Sequence, residues 1–377
     1  MPIPFNRPTL AGMELDYIRD AIARGQLAGD GAYTERCQVW LRERIGAGAV
    51  LLTHSCTAAL EMAALLLDIG PGDEVVMPSF TFVSTANAVV LRGGVPVFVD
   101  IRPDTLNIDE ALVEAAVTPR TRAIMPVHYA GVPAEMDALD VVARRHGLSV
   151  IEDAAQALGS TYRGRNAGAL GSLAAFSFHE TKNIISGEGG CLAINDPALI
   201  ERAEIIREKG TNRKRFFRGE VDKYTWVDIG SSFLPGELIA SFLYGQLEAA
   251  EAIRADRRRS WDAYDLAFRS WHNRGVRTPA VPAHCEDNAH LYYLILPSAE
   301  QRAALIAACK ADGIMTPFHY VPLHNSPAGR RLGRACGELA VTEDLAARLV
   351  RLPLFPCMGD ALSRVIERVQ THLDRLL

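Results

Sequence analysis

No two cysteines in this chain are spaced Cys-x-x-Cys, and the seven present, at 37, 56, 191, 285, 309, 336 and 357, are odd in number and scattered. Neither a disulfide framework nor a zinc or other metal site is suggested; they read as reduced, mostly packing residues. There is no uninterrupted apolar run of the ~20 residues that a membrane span needs. Residues 1–9 lack a basic region followed by an apolar stretch, so no leader is expected and a cytoplasmic location is the default. Excess positive charge is missing too. Lys and Arg number 40 against 45 Asp and Glu, a formal net charge of −5, which leaves no electrostatic footprint for nucleic acid. Internal repeats and low-complexity tracts are absent. What remains is an ordinary globular composition, 49% hydrophobic and 23% charged over 377 residues, with material for two domains of roughly 100 to 200 residues each.

Between residues 50 and 195, short apolar runs alternate with helix-patterned segments, the signature of a parallel sheet covered by helices. Strands are expected at 50–53, 74–77, 95–99, 123–127, 149–151, 174–178 and 191–194, with helices between them, at 57–67 and 134–146 for example. From about residue 235 the pattern becomes one long helix rich in Ala, Glu and Arg, reaching 274, followed by a strand at 290–296, a helix at 299–312 and an amphipathic helix at 359–377. The expected division is a large α/β domain over residues 1–245, including an N-terminal arm, and a smaller α+β domain over 246–377.

In parallel α/β sheets ligands gather at the carboxyl ends of strands, so the residues following each strand carry the chemistry. After the first strand, Ser55-Cys56-Thr57-Ala58-Ala59 opens a helix. Free N–H groups and the helix dipole suit a phosphate there, with the Ser55 and Thr57 hydroxyls as extra donors; a plain N-cap fits the same residues. After the second come Pro78-Ser79-Phe80-Thr81-Phe82, aromatics that either cover a planar ring or fill the core. After the fifth, Asp153 needs a cationic or hydrogen-bonding partner if buried. A protonated pyridine nitrogen would serve, and so would capping of a following helix. Lys182 lies in Ser177-Phe178-His179-Glu180-Thr181-Lys182-Asn183, between two apolar runs and just before a glycine turn. Among apolar neighbours an ammonium loses hydration, so the neutral amine becomes accessible and can form an imine with an aldehyde; a solvated loop tip is the other reading.

Together an aldehyde for Lys182, a ring nitrogen for Asp153, a ring face for Phe82 and a phosphate for the Ser55–Thr57 turn describe pyridoxal phosphate, with pyridoxamine phosphate as its aminated form. In the same order along the chain, Gly29-Asp30-Gly31, Ser55-Cys56-Thr57-Ala58-Ala59-Leu60, Pro78-Ser79-Phe80-Thr81-Phe82, Val127-His128-Tyr129-Ala130-Gly131, Glu152-Asp153-Ala154-Ala155-Gln156, Ser177-Phe178-His179 with Lys182, and Gly187-Glu188-Gly189-Gly190 resemble the DegT/DnrJ/EryC1/StrS sugar aminotransferases. The resemblance implies the fold type I architecture of aspartate aminotransferase, a mostly parallel seven-stranded sheet with a smaller C-terminal α+β domain. It implies that Lys182 forms the imine and shuttles the proton, that Asp153 pairs with the pyridinium, that Phe82 lies on the ring and Gln156 near its hydroxyl, and that Ser55, Cys56 by its backbone, Thr57 and Ser177 surround the phosphate. Many members have Gly at the position of Cys56, and Gly-Tyr-Asn-Tyr-Arg where this chain reads Gly230-Ser231-Ser232-Phe233-Leu234. Ser232 then inherits the phosphate contact that the Asn makes across a homodimer, whose active sites are completed by the neighbouring subunit.

For the substrate pocket the resemblance implies Gly29, Asp30 and Gly31, and Phe318, Tyr320 and His324, where a turn and a strand edge would account for the same residues. His179 is either a pocket residue or a packed histidine. The stretch from Arg207 to Ser232 resembles that of the enzymes that aminate dTDP-4-keto-6-deoxyglucose at C4, with L-glutamate as donor, giving dTDP-4-amino-4,6-dideoxygalactose for a cell-surface polysaccharide such as lipopolysaccharide or enterobacterial common antigen. Its basic residues Arg213, Lys214, Arg215 and Arg218 could meet the nucleotide diphosphate or form a solvated loop. A sugar dehydratase of the same family would carry His in place of Lys182, and a non-catalytic member would lose Lys182 or Asp153; both are present.

Overall fold

The computed structural model describes residues 2–377. Its centre is a sheet built from β1 (Ala49–Thr53), β2 (Glu74–Pro78), β3 (Val95–Val99), β4 (Thr121–Ile124), β5 (Ser149–Asp153), β6 (Leu173–Ser177) and β7 (Gly190–Ile194), the seven expected strands with boundaries moved by up to three residues. The spatial order is β1-β7-β6-β5-β4-β2-β3. All neighbours are parallel except β7, which runs antiparallel to both β1 and β6.

Side chains alternate across each strand, so the sheet presents two apolar faces. Leu51, Met77, Ala123, Ile151, Ala175 and Leu192 meet the helix Cys56–Leu66 on one face. On the other, Val76, Val97, Ile124 and Val150 meet the helix Met136–His146, while Val50, Leu52, Ala174, Phe176 and Cys191 meet the helices Ala32–Ile45 and Glu237–Glu248. No helix among the described residues is long and apolar enough to cross a membrane.

The long helix expected over 235–274 is two, Glu237–Glu248 and Ala250–Phe268, interrupted at Ala249. The break has a packing reason. Ala240, Leu243 and Leu247 fill the core beneath the sheet, whereas Trp261, Tyr264 and Phe268 enter a second core with Tyr292, Leu294, Leu305, Val350, Val365, Val369 and Leu373. One straight amphipathic stripe cannot face both. In the second core the pair Tyr292–Ile295 and Leu349–Leu352 is antiparallel, covered by the helices Ala299–Ala311 and Asp360–Leu376. The N-terminal segment joins this core: Ile3 packs into it and bridges Ile314.

An eighth strand that periodicity gave no hint of, Arg334–Ala335, adds in parallel to the β3 edge. Two residues are too short to show a pattern. The Arg334 guanidinium donates to both carboxylate oxygens of the buried Glu74, at 3.1 and 2.8 Å, and Arg120 adds a third contact at 2.7 Å.

Candidate functional site

Sheet register assembles the site. Thr53 pairs with Gly190 and Gly190 with Ser177, so the carboxyl ends of β1 and β6 lie level with the start of β7; Asp153 pairs with Ala175 two residues deeper. Gly190 is required there by space alone: a Cβ would stand 2.5 Å from the Cys56 nitrogen. The Ser55–Thr57 turn can therefore press onto the sheet edge.

Both readings of that turn hold at once. Ser55 caps the helix Cys56–Leu66, its Oγ accepting from the Ala58 N–H at 3.1 Å. Among the described residues no acceptor meets the Cys56 and Thr57 N–H groups, as expected of a first turn. The Thr57 hydroxyl lies 2.7 Å from that of Ser84, a donor the sequence did not signal. A turn of donors is thereby left at a helix N-terminus, an arrangement that suits an anion. Ser177 stands beside it, half-buried, its Oγ accepting from the His179 N–H at 3.3 Å.

Asp153 is 5% exposed, and among the described residues no Lys, Arg or His nitrogen lies within ion-pair distance of it. Its Oδ2 accepts from the Thr85 hydroxyl at 2.7 Å, which in turn meets Thr81 at 2.7 Å; its Oδ1 accepts from the Ala155 N–H at 3.2 Å. No helix follows to be capped. Burial pushes the carboxyl pKa up, against the pull of Thr85, Ala155, Lys182 and His128. A cation in contact would restore the ionised form.

Lys182 sits in the loop joining β6 to β7, closed by Phe178 N–H to Gly189 O and Ser186 N–H to Phe178 O. It is half-buried and in no ion pair among the described residues, unlike a solvated loop tip. Burial lowers its pKa, and Arg351 lowers it further, while Cys56 and Asp153 oppose. The next residue, Asn183, fixes the loop: its Nδ2 donates to Asn288 O at 2.7 Å and its Oδ1 lies 2.9 Å from His290 Nδ1. With the amide so placed, His290 carries its proton on Nδ1.

Phe82 is 58% exposed, whereas Phe80 is wholly buried, so the open ring is Phe82 and the core ring Phe80. Gln156 receives the Ala130 N–H at 2.8 Å and donates to the Tyr320 hydroxyl at 2.9 Å. Tyr320 and Phe318 line a cleft of about 450 Å³ together with Arg302, Val321, Pro322 and Asn325. His324 is instead held between Ser79, 2.7 Å from its Nδ1, and Glu343 at 3.1 Å.

Other expected pocket residues have structural partners. A Cβ on Gly29 would stand 2.2 Å from Pro235 O, and one on Gly31 2.6 Å from Glu237. Glu237 caps the helix Ala32–Ile45 through the Gly31, Tyr33 and Thr34 N–H groups, and Asp30 pairs with the buried Arg207 at 2.5 Å. His179 is not packed in a core: its side chain is 40% exposed, 2.9 Å from Thr181 and 3.6 Å from Glu188. The expected basic loop folds as the short helix Arg213–Phe217 and its cap, and its cations are neutralised in place, Arg213 by Glu208, Lys214 by Glu204, Arg215 by Glu201 and Glu220, and Arg218 by Glu204 and Glu220. Ser232 is exposed; the neighbouring Phe233 O receives the His54 N–H at 2.9 Å, one residue before the anion turn.

The donor turn, a half-buried lysine without an acid, a buried carboxylate without a cation and an open aromatic face fit pyridoxal phosphate part by part. A model of the DegT/DnrJ/EryC1/StrS aminotransferase family matches residues 8–370. The spore coat polysaccharide biosynthesis protein SpsC of Bacillus subtilis is 33% identical over 383 residues, covering 98% of this chain and 96% of its own. Among solved structures, the aminotransferase TlmJ from Streptoalloteichus hindustanus superposes with a TM-score of 0.92 at 32% identity over 100% of both chains. The PLP form of the putative sugar aminotransferase Spr1654 from Streptococcus pneumoniae gives 0.91 at 26% identity, also over 100% of both.

Proposed function

The chain belongs to the DegT/DnrJ/EryC1/StrS aminotransferase family and is a pyridoxal-phosphate-dependent sugar aminotransferase, and we propose that it moves the amino group of L-glutamate to C4 of dTDP-4-keto-6-deoxy-D-glucose, giving dTDP-4-amino-4,6-dideoxy-D-galactose for a cell-surface polysaccharide. The observation that carries the chemistry is the buried, cation-free Asp153 beside the half-buried Lys182. The choice of sugar rests on the resemblance of residues 207–232. Their paired arginines make a basic loop built for folding rather than for a diphosphate, so the sugar nucleotide is assigned to the cleft of Phe318 and Tyr320.

Bound pyridoxal phosphate supplies the electron sink that lets an amino acid release its Cα proton. Lys182, its ammonium disfavoured by burial, is the base that removes this proton and later returns one. Asp153, supported by Thr85 and Ala155 N–H, keeps the ring nitrogen protonated. The Cys56 and Thr57 N–H groups, with Thr57 and Ser84 hydroxyls and Ser177, would hold the phosphate, and Phe82 would cover the ring. Gln156, fixed by Ala130 and Tyr320, would be the residue to meet the ring hydroxyl. In a second half-reaction Lys182 delivers a proton to the sugar C4 and so sets its configuration. We place the enzyme in the cytoplasm as a homodimer in which Ser232 reaches the partner's phosphate site, and propose a division near residue 245, supported by the two cores except for the N-terminal arm, whose Ile3 packs with the second.

Product analysis after incubation with L-glutamate and a panel of nucleotide keto sugars tests this. Turnover is expected with dTDP-4-keto-6-deoxyglucose above all others; faster amination of a UDP-linked or 3-keto sugar overturns the substrate and leaves the aminotransferase standing.

A further inference from the structure

Arg351 is the cation of this site that the proposed chemistry leaves unused. It lies on the strand Leu349–Leu352, in register with Tyr293, and its backbone N–H is held by Pro317 O at 2.9 Å. Its guanidinium carbon stands 4.4 Å from the centroid of the Phe5 ring, which fixes the plane of the group. One Nη donates to Phe318 O at 3.1 Å; the buried Nε meets no acceptor, and no carboxylate pairs with the group among the described residues. Arg207 has Asp30 and Arg258 has Asp287, while the wholly buried Arg257 is held by the Ala289 and His290 carbonyls; Arg351 has only the Phe318 carbonyl. A half-buried guanidinium without an acid is costly to fold.

The surroundings offer it nothing negative. Tyr129, Tyr320, His319, His290 and Lys182 are the groups within its electrostatic reach, and burial holds both histidines neutral. Asp153 is not among its partners. Among the described residues the group around Arg351 therefore lacks an anion of its own, and in the proposed chemistry Asp153 is taken by a ring nitrogen. A planar guanidinium with free N–H groups matches a carboxylate in two-point contact.

Resting on the reading of L-glutamate as donor, we infer that Arg351 binds a carboxylate of the amino donor and thereby holds the donor's Cα in reach of Lys182. The sugar half-reaction, whose substrate carries no carboxylate, then has no need of it.

The test follows the two half-reactions separately in holoenzyme by the cofactor's visible absorbance, for wild type, Arg351→Lys and Arg351→Gln. For Arg351→Gln the L-glutamate concentration giving half-maximal rate is expected to rise roughly 10- to 100-fold, as for loss of a charged hydrogen bond, and for Arg351→Lys by less. The half-reaction of the aminated holoenzyme with the keto sugar nucleotide should change by less than about threefold, and inhibition by glutarate should weaken in parallel with glutamate. L-Alanine and 4-aminobutyrate tell the two carboxylates apart: a penalty kept with L-alanine marks the α-carboxylate, one kept with 4-aminobutyrate the distal one. Unchanged glutamate dependence, or equal damage to both half-reactions with cofactor absorbance retained, overturns the inference. Wild-type holoenzyme inert to L-glutamate overturns the donor reading itself, and this inference with it.

Discussion

Two carboxylates buried at opposite ends of two parallel strands of the same sheet, with β4 between them, have opposite fates. Glu74, 1% exposed at the start of β2, is met by the guanidiniums of Arg334 and Arg120 and by the Thr118 hydroxyl, and its pKa falls to about 2. Asp153, 5% exposed at the end of β5, has a threonine hydroxyl and one N–H, and its pKa rises. The first is a staple that fastens the C-terminal region to the sheet edge. The second is a charge left without its partner, the state in which a binding site waits for a cation.

The functional side of this contrast breaks most completely at Lys182. Lys182→Ala is expected to lower turnover by about 10,000-fold or more, since it removes both the cofactor link and the proton carrier; steady-state rates with the visible spectrum check this, and retention of both would sink the assignment. Next comes Asp153→Asn, for which kcat should fall on the order of 100- to 1,000-fold while cofactor content falls far less. The matching change at the structural end, Glu74→Gln, should cost about 1–3 kcal/mol of stability by weakening the contacts of the partly exposed Arg334 and Arg120, with activity per folded molecule intact in denaturation and rate measurements.

The pH dependence separates the two carboxylates by sign. Because the folded pKa of Glu74 lies below its ordinary 4.5, its contribution is complete above pH 4.5 and is lost as pH falls toward about 2. Asp153 does the reverse in cofactor-free protein: its raised pKa means stability falls as pH climbs through the range above 3.8. Cofactor-free Asp153→Asn should therefore be at least as stable as wild type at pH 7, whereas Glu74→Gln is less stable; a thermal melt that ranks them the other way would remove the distinction. The smallest effect is expected from reversing Arg213 and Arg218 to Glu. Since both are half-exposed and already tied to glutamates, the KM for the sugar nucleotide should stay within about twofold.

How far the sequence could be read differed by the range of the interaction. Apolar alternation is local, so all seven strands and the donor turn at Ser55–Thr57 were legible. Thr81 and Thr85, which support Asp153, are one helical turn apart and could have been read as a pair on one face. The break at Ala249 was not legible, because the residues around it are good helix formers and only the positions of the two cores force the interruption.

By itself the sequence determined the parallel sheet, the family and the identity of Lys182 and Asp153 as the groups at its carboxyl end. Whether a charge is paired was decided only by tertiary structure. Glu74 finds Arg334 260 residues away, Arg213 and Arg218 are neutralised by glutamates, and Arg351 comes to Lys182 with no acid of its own. Periodicity records which side of an element is apolar. It holds no record of which distant element will face it, and the free energy of a buried charge depends on that neighbour.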